Sequence, residues 1–460
     1  MPIDPVPGLL SRATELLEEE FIALPAFESV IDKDAVAEVL QNVARRLGDN
    51  YPYFHPLYAG QMLKPPHPVA RAAYALAMTI NPNNHARDGG RASSEMEIEA
   101  VRQIAAIFGW AGSGGGFLGH LTSSGTLANL EALWVAGQLA PGRRIVASEQ
   151  AHYTHQRISA VLKLDYASIP ADCRGRMSLE ALEAELRKGD VGTVVATLGT
   201  TAIGAVDPLD GILALRERYG FRVHVDGAYG GYFRLIADAL EEPARRAYLA
   251  MSEADSIAID PHKHGLQPFG CGCVLFRDPS VGRFYKHDSP YTYFTSKQLH
   301  LGEISLECSR AGASAVALWA TQQLLPLVPG GEFAQGLARG RAAAVELDRR
   351  LRQAEGRHFE ALAAGPPELD IVVWKLAAQT PERASQWANE IFVACATRDL
   401  HLALVQLPLS WFQPVDCDRV GVEARLVTCL RSVLMKPEHE EWLGRIWNRL
   451  AEACAETIGG

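Results

Sequence analysis

The chain has eight cysteines but no Cys-x-x-Cys pair, the spacing at which many structural metal sites hold their ion. Cys271 and Cys273 flank one glycine in an apolar run. This spacing places both thiols on one face of a strand. Without a second cluster of ligands, it predicts buried core thiols, and no metal site is expected.

The chain also lacks an uninterrupted apolar run of about 18 residues, the length that a membrane helix needs. Gln322 and Gln323 break its most apolar stretch. The first residues, MPIDPVPGLL, have neither the basic nor the apolar segment of a secretory signal. We therefore expect no membrane span and a cytoplasmic protein.

Positive charge is scarce as well. The 460 residues include 44 Lys and Arg against 54 Asp and Glu, so the net charge is −10. Nucleic acids and anionic membranes bind basic surfaces, so neither is expected as a partner. Hydrophobic residues make up 48% of the chain and charged residues 21%, a composition that allows a large core and excludes wholesale disorder.

The length of the chain predicts two or three structural units. We expect an N-terminal helical arm at 1–64, a large α/β domain at 65–340 and a small α+β domain at 341–460. Residues 331–365 are predicted as one long helix.

Short apolar runs alternate with helical patterns between residues 117 and 278, which predicts a mainly parallel sheet with helices on both faces. A short loop rich in Gly and Pro joins the last two strands, which leaves an antiparallel pairing of these two open. The predicted strands are 145–148, 193–198, 222–225, 256–259 and 271–276.

Polar side chains follow these strands, at the edge where open α/β sheets bind ligands. They are His152, Thr201, Asp226 and Lys263, one after each of four strands. A Ser-Ser-Gly-Thr turn at 123–126 opens a helix, and such a turn binds phosphate through backbone amides and the helix dipole. Together these residues form the set that pyridoxal phosphate needs.

Each of these residues has a chemical role in such a site. Lys263 can bond to the cofactor aldehyde, and Asp226 can keep the ring nitrogen protonated, which makes the ring an electron sink. His152 can stack on the ring. The residues expected to bind the phosphate are Ser123, Ser124, Gly125 and Thr126.

Four motifs carry a resemblance to a known family. They are His224-Val-Asp-Gly-Ala-Tyr229, Asp260-Pro-His-Lys-His264, Ala151-His152 and Thr197-Leu-Gly-Thr-Thr201. These motifs are similar to those of the group II pyridoxal-phosphate-dependent amino-acid decarboxylases, which include the aromatic-L-amino-acid, tyrosine and glutamate decarboxylases. The resemblance runs from about residue 51 to residue 319 and continues more faintly to the C-terminus.

The resemblance implies a pyridoxal-phosphate enzyme of fold type I, the aspartate-aminotransferase type. Such an enzyme has a mainly parallel seven-stranded α/β sheet with helices on both faces and a small C-terminal α+β domain. The resemblance also implies a homodimer with exchanged N-terminal arms and active sites at the subunit interface. The implied reaction removes CO2 from an L-amino acid and leaves a primary amine.

The family also implies roles for single residues. By this resemblance, Lys263 is the Schiff-base lysine, Asp226 is the partner of the ring nitrogen and His152 is the stacking histidine. The other implied cofactor contacts are Ala228 on the second ring face, Thr201 near the ring oxygen, and Ser123, Ser124 and His262 at the phosphate.

Two segments are implied to shape the substrate pocket. The aromatic segment at 52–58 is similar to one that leads into substrate contacts, and relatives share the segment at 81–85 across the dimer. This second segment is more polar here than in aromatic-selective relatives, which argues against a strict preference for a plain aromatic substrate. The expected pocket residues are His55, Leu57, Tyr58, Gln61, Asn83 and His85.

A polar, turn-rich stretch at 288–295 stands where relatives carry a mobile loop, whose tyrosine returns a proton to the substrate carbon. Tyr291 or Tyr293 is the expected donor. Arg310 precedes a helix, and its expected partner is a phosphate, a carboxylate or a structural ion pair.

Alternatives to a decarboxylase stay open from the sequence. An aminotransferase would be expected to use an arginine such as Arg425 or Arg431 for the substrate carboxylate, and a carbon–sulfur lyase shares the same fold. A catalytically inactive homologue is a further alternative, although the presence of Lys263, Asp226 and His152 argues against it. The sequence does not decide between aromatic, acidic and basic amino acids.

Overall fold

The computed structural model describes residues 6–25, 30–111, 116–286, 305–354, 358–413 and 425–459. Its central feature is a seven-stranded sheet. The strands are β1 (Leu118–Thr122), β2 (Arg144–Ser148), β3 (Tyr166–Ile169), β4 (Val191–Thr197), β5 (Arg222–Asp226), β6 (Ser256–Ile259) and β7 (Gly272–Phe276).

The strand order is β1-β7-β6-β5-β4-β2-β3. The five strands from β6 to β3 run parallel to one another, and β7 runs antiparallel to both of its neighbours. The mainly parallel sheet is therefore confirmed, and the pairing that the sequence left open is antiparallel. The strand-by-strand prediction omitted β1 and β3, because these edge strands are short and carry no continuous apolar run.

Helices cover both faces of this sheet. On β2, Ile145 and Ala147 pack with residues of two helices on one face, whereas Val146 packs into the larger cluster on the opposite face. The helices are α1 (Val6–Glu19), α2 (Lys33–Leu47), α3 (Pro68–Ile80), α4 (Arg91–Ile107), α5 (Gly125–Leu139), α6 (Thr154–Val161), α7 (Leu179–Leu186), α8 (Leu209–Tyr219), α9 (Ala244–Leu249), α10 (Gly312–Leu324), α11 (Glu332–Gln353), α12 (Pro381–Ala396) and α13 (His439–Gly459).

A second sheet of four antiparallel strands lies near the C-terminus, with the order β10-β11-β9-β8. Its strands are β8 (Phe359–Ala361), β9 (Ile371–Leu376), β10 (Ala403–Pro408) and β11 (Leu426–Val433). Because β8 begins at Phe359, the predicted helix at 331–365 is too long at its C-terminal end.

The predicted domain boundary between 340 and 341 falls inside α11. Leu337 of this helix packs in the core of the large sheet, while Leu347 packs in the core of the second sheet. One continuous helix thus contributes to both cores, and the division of the chain at this point stays a prediction.

Cys271 and Cys273 are buried free thiols, as expected. Within the part of the chain that the structure describes, no group of three His, Cys, Asp or Glu side chains could hold a metal ion. No helix in the same part is long and apolar enough to cross a membrane.

Helix α2 has an apolar stripe that faces solvent in this single chain. None of its residues is buried. The stripe residues recur at helical spacing and are 45% to 62% exposed. They are Val36, Val39, Leu40, Val43 and Leu47.

The two sheets are linked by a buried polar contact. The Tyr229 hydroxyl, which follows β5, donates to Oδ1 of Asp370 at 2.5 Å. Asp370 directly precedes β9 and is 1% exposed, and its Oδ2 lies 3.4 Å from Nε2 of His264. Burial raises the pKa of Asp370 to about 6, although the hydrogen bond from Tyr229 opposes this shift.

This contact predicts a specific pH dependence of stability. Because the folded-state pKa of Asp370 is raised, its contribution to the free energy of unfolding is largest at low pH. This contribution is lost as the pH rises from about 4 to about 6. The Asp370→Asn variant lacks this ionisation, so we expect it to gain stability relative to the unmodified protein across that interval. Urea unfolding at several pH values measures the difference, and parallel pH curves for the two proteins would contradict it.

Candidate active site

A cavity of about 180 Å³ opens at the carboxyl ends of β2, β4, β5 and β6. Parallel strands bring the loops that follow them to one edge of the sheet, so residues far apart in the sequence meet there. The lining residues include most of the predicted cofactor contacts: Ser124, Gly125, Thr126, His152, Thr201, Asp226, Ala228, His262 and Lys263.

Lys263 lies in the turn after β6. Its Nζ is 3.0 Å from Oδ2 of Asp260, whose carboxylate is 3% exposed. The other carboxylate oxygen of Asp260 is buried and has no hydrogen-bond partner among the described residues. Gly125 is required opposite this carboxylate, because a Cβ atom at that position would collide with both of its oxygens.

Asp226 is the last residue of β5 and is 4% exposed. Its Oδ1 accepts a hydrogen bond from the Ala228 amide at 3.1 Å, and its Oδ2 lies 2.8 Å from Nε2 of His155. Burial alone would raise the pKa of Asp226, but the hydrogen bond and charge of His155, together with the charge of Lys263, hold it well below the usual carboxyl value. The cavity therefore has an ionised carboxylate in its wall.

His152 lines the same cavity from the loop after β2. The Thr154 amide and hydroxyl lie 3.3 and 2.6 Å from Nδ1 of His152. Because an amide N–H only donates, Nδ1 accepts and the proton of the neutral ring lies on Nε2. Burial lowers the pKa of His152, which favours the neutral imidazole. A neutral aromatic face is suited to stacking on a flat ring.

The predicted phosphate turn is only partly in this cavity. Ser124 caps α5, since its Oγ accepts from the Leu127 amide at 3.3 Å, and the first turn of the helix faces the cavity with its backbone amides. Ser123 instead lines a neighbouring cavity, and its amide donates to Glu307 at 2.8 Å.

A second cavity of about 420 Å³ adjoins the first, because His152 and Thr201 line both. Of the predicted substrate residues, Gln61 lies in its wall. Gln61 accepts a hydrogen bond from Arg431 at 3.0 Å. Nη2 and Nε of Arg431 donate to the carbonyl oxygens of Thr201 and Ala202 at 2.7 and 3.0 Å.

The other predicted substrate residues line neither cavity in this single chain. The His55 ring packs on Trp442, 4.9 Å between centroids. Leu57 packs in the core of the second sheet, and Tyr58 is buried and forms an isolated β-bridge with His401.

The polar segment at 81–85 lies beside Arg310. Asn83 accepts hydrogen bonds from the amides of His85 and Arg310. Arg310 itself forms a buried ion pair with Glu97 at 2.6 Å, which is the structural alternative expected for it. The predicted proton donors Tyr291 and Tyr293 lie outside the described residues.

Two histidines behind Asp226 were not predicted as site residues. His155 lies three residues after His152, and this one-turn spacing of two histidines after a strand is the sequence signal that could have identified it. His224 contacts Asn129 at 2.8 Å and Ser256 at 2.9 Å. Burial lowers its pKa to about 3, so this ring is neutral.

The chain is similar in sequence to one protein family and to several known proteins. Residues 21–325 match the family model described as the pyridoxal-dependent decarboxylase conserved domain. The L-tyrosine decarboxylase of Enterococcus faecium is 28% identical, over 74% of this chain and 72% of that protein. The L-tyrosine decarboxylase of Levilactobacillus brevis is 26% identical, over 66% and 63%. A probable L-tyrosine/L-aspartate decarboxylase of Methanoculleus marisnigri is 29% identical, over 57% and 68%.

Solved structures share the fold at lower identity. The structure of Oryza sativa TDC with PLP and tryptamine matches with a TM-score of 0.77 at 18% identity, over 99% of each chain. The structure of mouse CSAD matches with a TM-score of 0.74 at 22% identity, over 96% of this chain and 91% of that chain. The fold-type I architecture implied by the motifs is thereby confirmed.

Proposed function

Because the chain belongs to the pyridoxal-dependent decarboxylase family and is a pyridoxal-phosphate-dependent amino-acid decarboxylase, we propose that Lys263, Asp226 and His152 are its central cofactor residues. The main support is that a lysine, an ionised carboxylate and a neutral imidazole line one cavity at the carboxyl edge of the sheet.

The residues of the cavity fit the cofactor chemically. The first turn of α5, with Ser124 and Thr126, offers backbone amides and hydroxyls to a phosphate. Asp226 offers a buried carboxylate to a protonated ring nitrogen. Lys263 offers its Nζ to the aldehyde, beside an Asp260 oxygen that lacks a partner among the described residues.

When bound, pyridoxal phosphate supplies an aldehyde that takes up the substrate amine and a ring that receives the electron pair of the broken Cα–carboxylate bond. Asp226 holds a proton at the ring nitrogen. His152 lines both cavities and carries its proton on Nε2. The substrate carbon must then gain a proton, for which Tyr291 and Tyr293 stay the predicted donors.

The substrate side chain is proposed to occupy the second cavity. Leu404 and Val405 are apolar residues of its lining, and the polar lining residues include Gln61, Arg431, Glu149 and Gln150. Arg431 is 3% exposed and donates to three oxygens, none of which belongs to a carboxylate. An amino acid whose side chain ends in an oxygen acceptor suits this arrangement. The names of the relatives make L-tyrosine and L-aspartate the first substrates to test.

The chain is further proposed to form a homodimer through its N-terminal arm. The exposed apolar stripe of α2 is the supporting observation, because an isolated face of this kind is normally covered by a partner. A second copy of the chain covers it in the arm-exchanged dimer that the family resemblance implies.

The cofactor assignment predicts that Lys263→Ala releases no CO2 from any amino acid, because no other described residue lines the cavity with an amine. Radiolabelled CO2 release with a panel of L-amino acids measures this, and Lys188→Ala, at an exposed lysine, is the matched control. CO2 release by Lys263→Ala would refute the assignment. Transfer of the amino group to a keto acid by the unmodified protein, without CO2, would support an aminotransferase instead.

The substrate assignment predicts that Arg431→Gln lowers kcat/KM for the preferred oxygen-bearing substrate by about tenfold or more, the cost of one charge-assisted hydrogen bond. The loss for L-phenylalanine should be smaller. Arg425→Gln changes an exposed arginine paired with Glu382 and should leave both substrates unaffected. Equal losses for both substrates in Arg431→Gln would contradict the assignment.

The dimer proposal predicts that Val43→Glu lowers the mass in solution from dimer to monomer, because it places an unpaired charge in the covered stripe. Gln41→Glu introduces the same charge outside the stripe and should leave the dimer intact. Light scattering distinguishes the two states, and a dimeric Val43→Glu variant would contradict the proposed interface.

A further inference from the structure

His155 lies directly behind the carboxylate of Asp226 and outside the cavity. It is fully buried in the first turn of α6, and its Nε2 is 2.8 Å from Oδ2 of Asp226. The His155 amide donates to the carbonyl oxygen of His152 at 3.1 Å. One helical turn therefore links His152, which lines the cavity, to His155, which contacts the carboxylate of Asp226.

The hydrogen-bonding pattern assigns the proton on this ring. An ionised carboxylate only accepts hydrogen bonds, so Nε2 of His155 must carry the hydrogen. Its Nδ1 is buried and has no partner among the described residues. The Nε2–H of His155 therefore donates to Asp226 and fixes the position of the ionised carboxylate.

Among the described residues, few other groups near His155 can donate a hydrogen bond to the carboxylate of Asp226. The His224 ring lies 6.4 Å away, centroid to centroid, and is itself held by Asn129 and Ser256. The second oxygen of Asp226 accepts only from the Ala228 amide among the described hydrogen bonds. His155 is thus the one side chain among the described residues that donates to this carboxylate.

We propose that His155 is a positioning residue for decarboxylation, which fixes Asp226 in the orientation that keeps the cofactor ring nitrogen protonated. This inference rests on the role proposed for Asp226. In this proposal, His155 contacts neither substrate nor cofactor. We therefore expect its replacement to weaken cofactor binding only through the ring nitrogen.

The test compares two cofactors in binding to the apoenzyme. One is pyridoxal phosphate, and the other is its 1-deaza analogue, in which carbon replaces the ring nitrogen. We expect His155→Leu to raise the dissociation constant for pyridoxal phosphate about tenfold or more and to leave that for the analogue nearly unchanged. His155→Gln keeps an N–H donor and should recover part of the affinity.

His120→Leu is the matched control. Its Nε2 lies 2.8 Å from Glu131, both side chains are fully buried, and neither lines the cavity. This variant should lower the melting temperature and leave the ratio of the two dissociation constants unchanged. The comparison distinguishes the general effect of removing a buried imidazole from a specific weakening of the interaction at the ring nitrogen.

An equal loss for both cofactors in His155→Leu, or no loss for either, would overturn the inference while the role of Asp226 stands. A separate result concerns the proposed function itself. If the unmodified apoenzyme bound both cofactors equally tightly, the role of Asp226 at the ring nitrogen would fail, and the inference for His155 would fail with it.

Discussion

The buried negative charge of Asp226 is the constraint on which the site depends. A carboxylate that leaves water is costly unless donors and a cation compensate it. His155 and the Ala228 amide supply the donors, and Lys263 supplies a nearby positive charge. In the proposed site, a protonated pyridine ring would complete this compensation, so the charge that is costly in the free protein would favour cofactor binding.

The topology of the sheet explains why this charge has the right neighbours. The parallel strands place Asp226, His152 and Lys263 at the carboxyl edge of the large sheet, and the first turn of α5 lines the same cavity. Close packing fixes their spacing, since Gly125 has no room for a side chain beside Asp260. The second sheet adds Arg431 to the wall of the second cavity, and the Asp370 contact links the two sheets beside the proposed substrate site.

Sequence reasoning was sufficient where buried strands end in distinctive motifs. The central parallel strands and the residues that follow them were predicted because continuous apolar runs mark buried strands. The edge strands β1 and β3 and the end of α11 lack such a signal. His155 was missed because its one sequence signal, the spacing from His152, does not reveal its partner Asp226 on another strand. The contact of Ser123 with Glu307 was missed because it joins residues far apart in the chain.

The protonation state of the bound cofactor tests the central claim most directly. Nitrogen NMR of the protein loaded with ¹⁵N-labelled pyridoxal phosphate reports whether the ring nitrogen carries a proton. We expect a pyridinium chemical shift at neutral pH in the unmodified protein and its loss in Asp226→Ala. A neutral pyridine shift in the unmodified protein would refute the role proposed for Asp226.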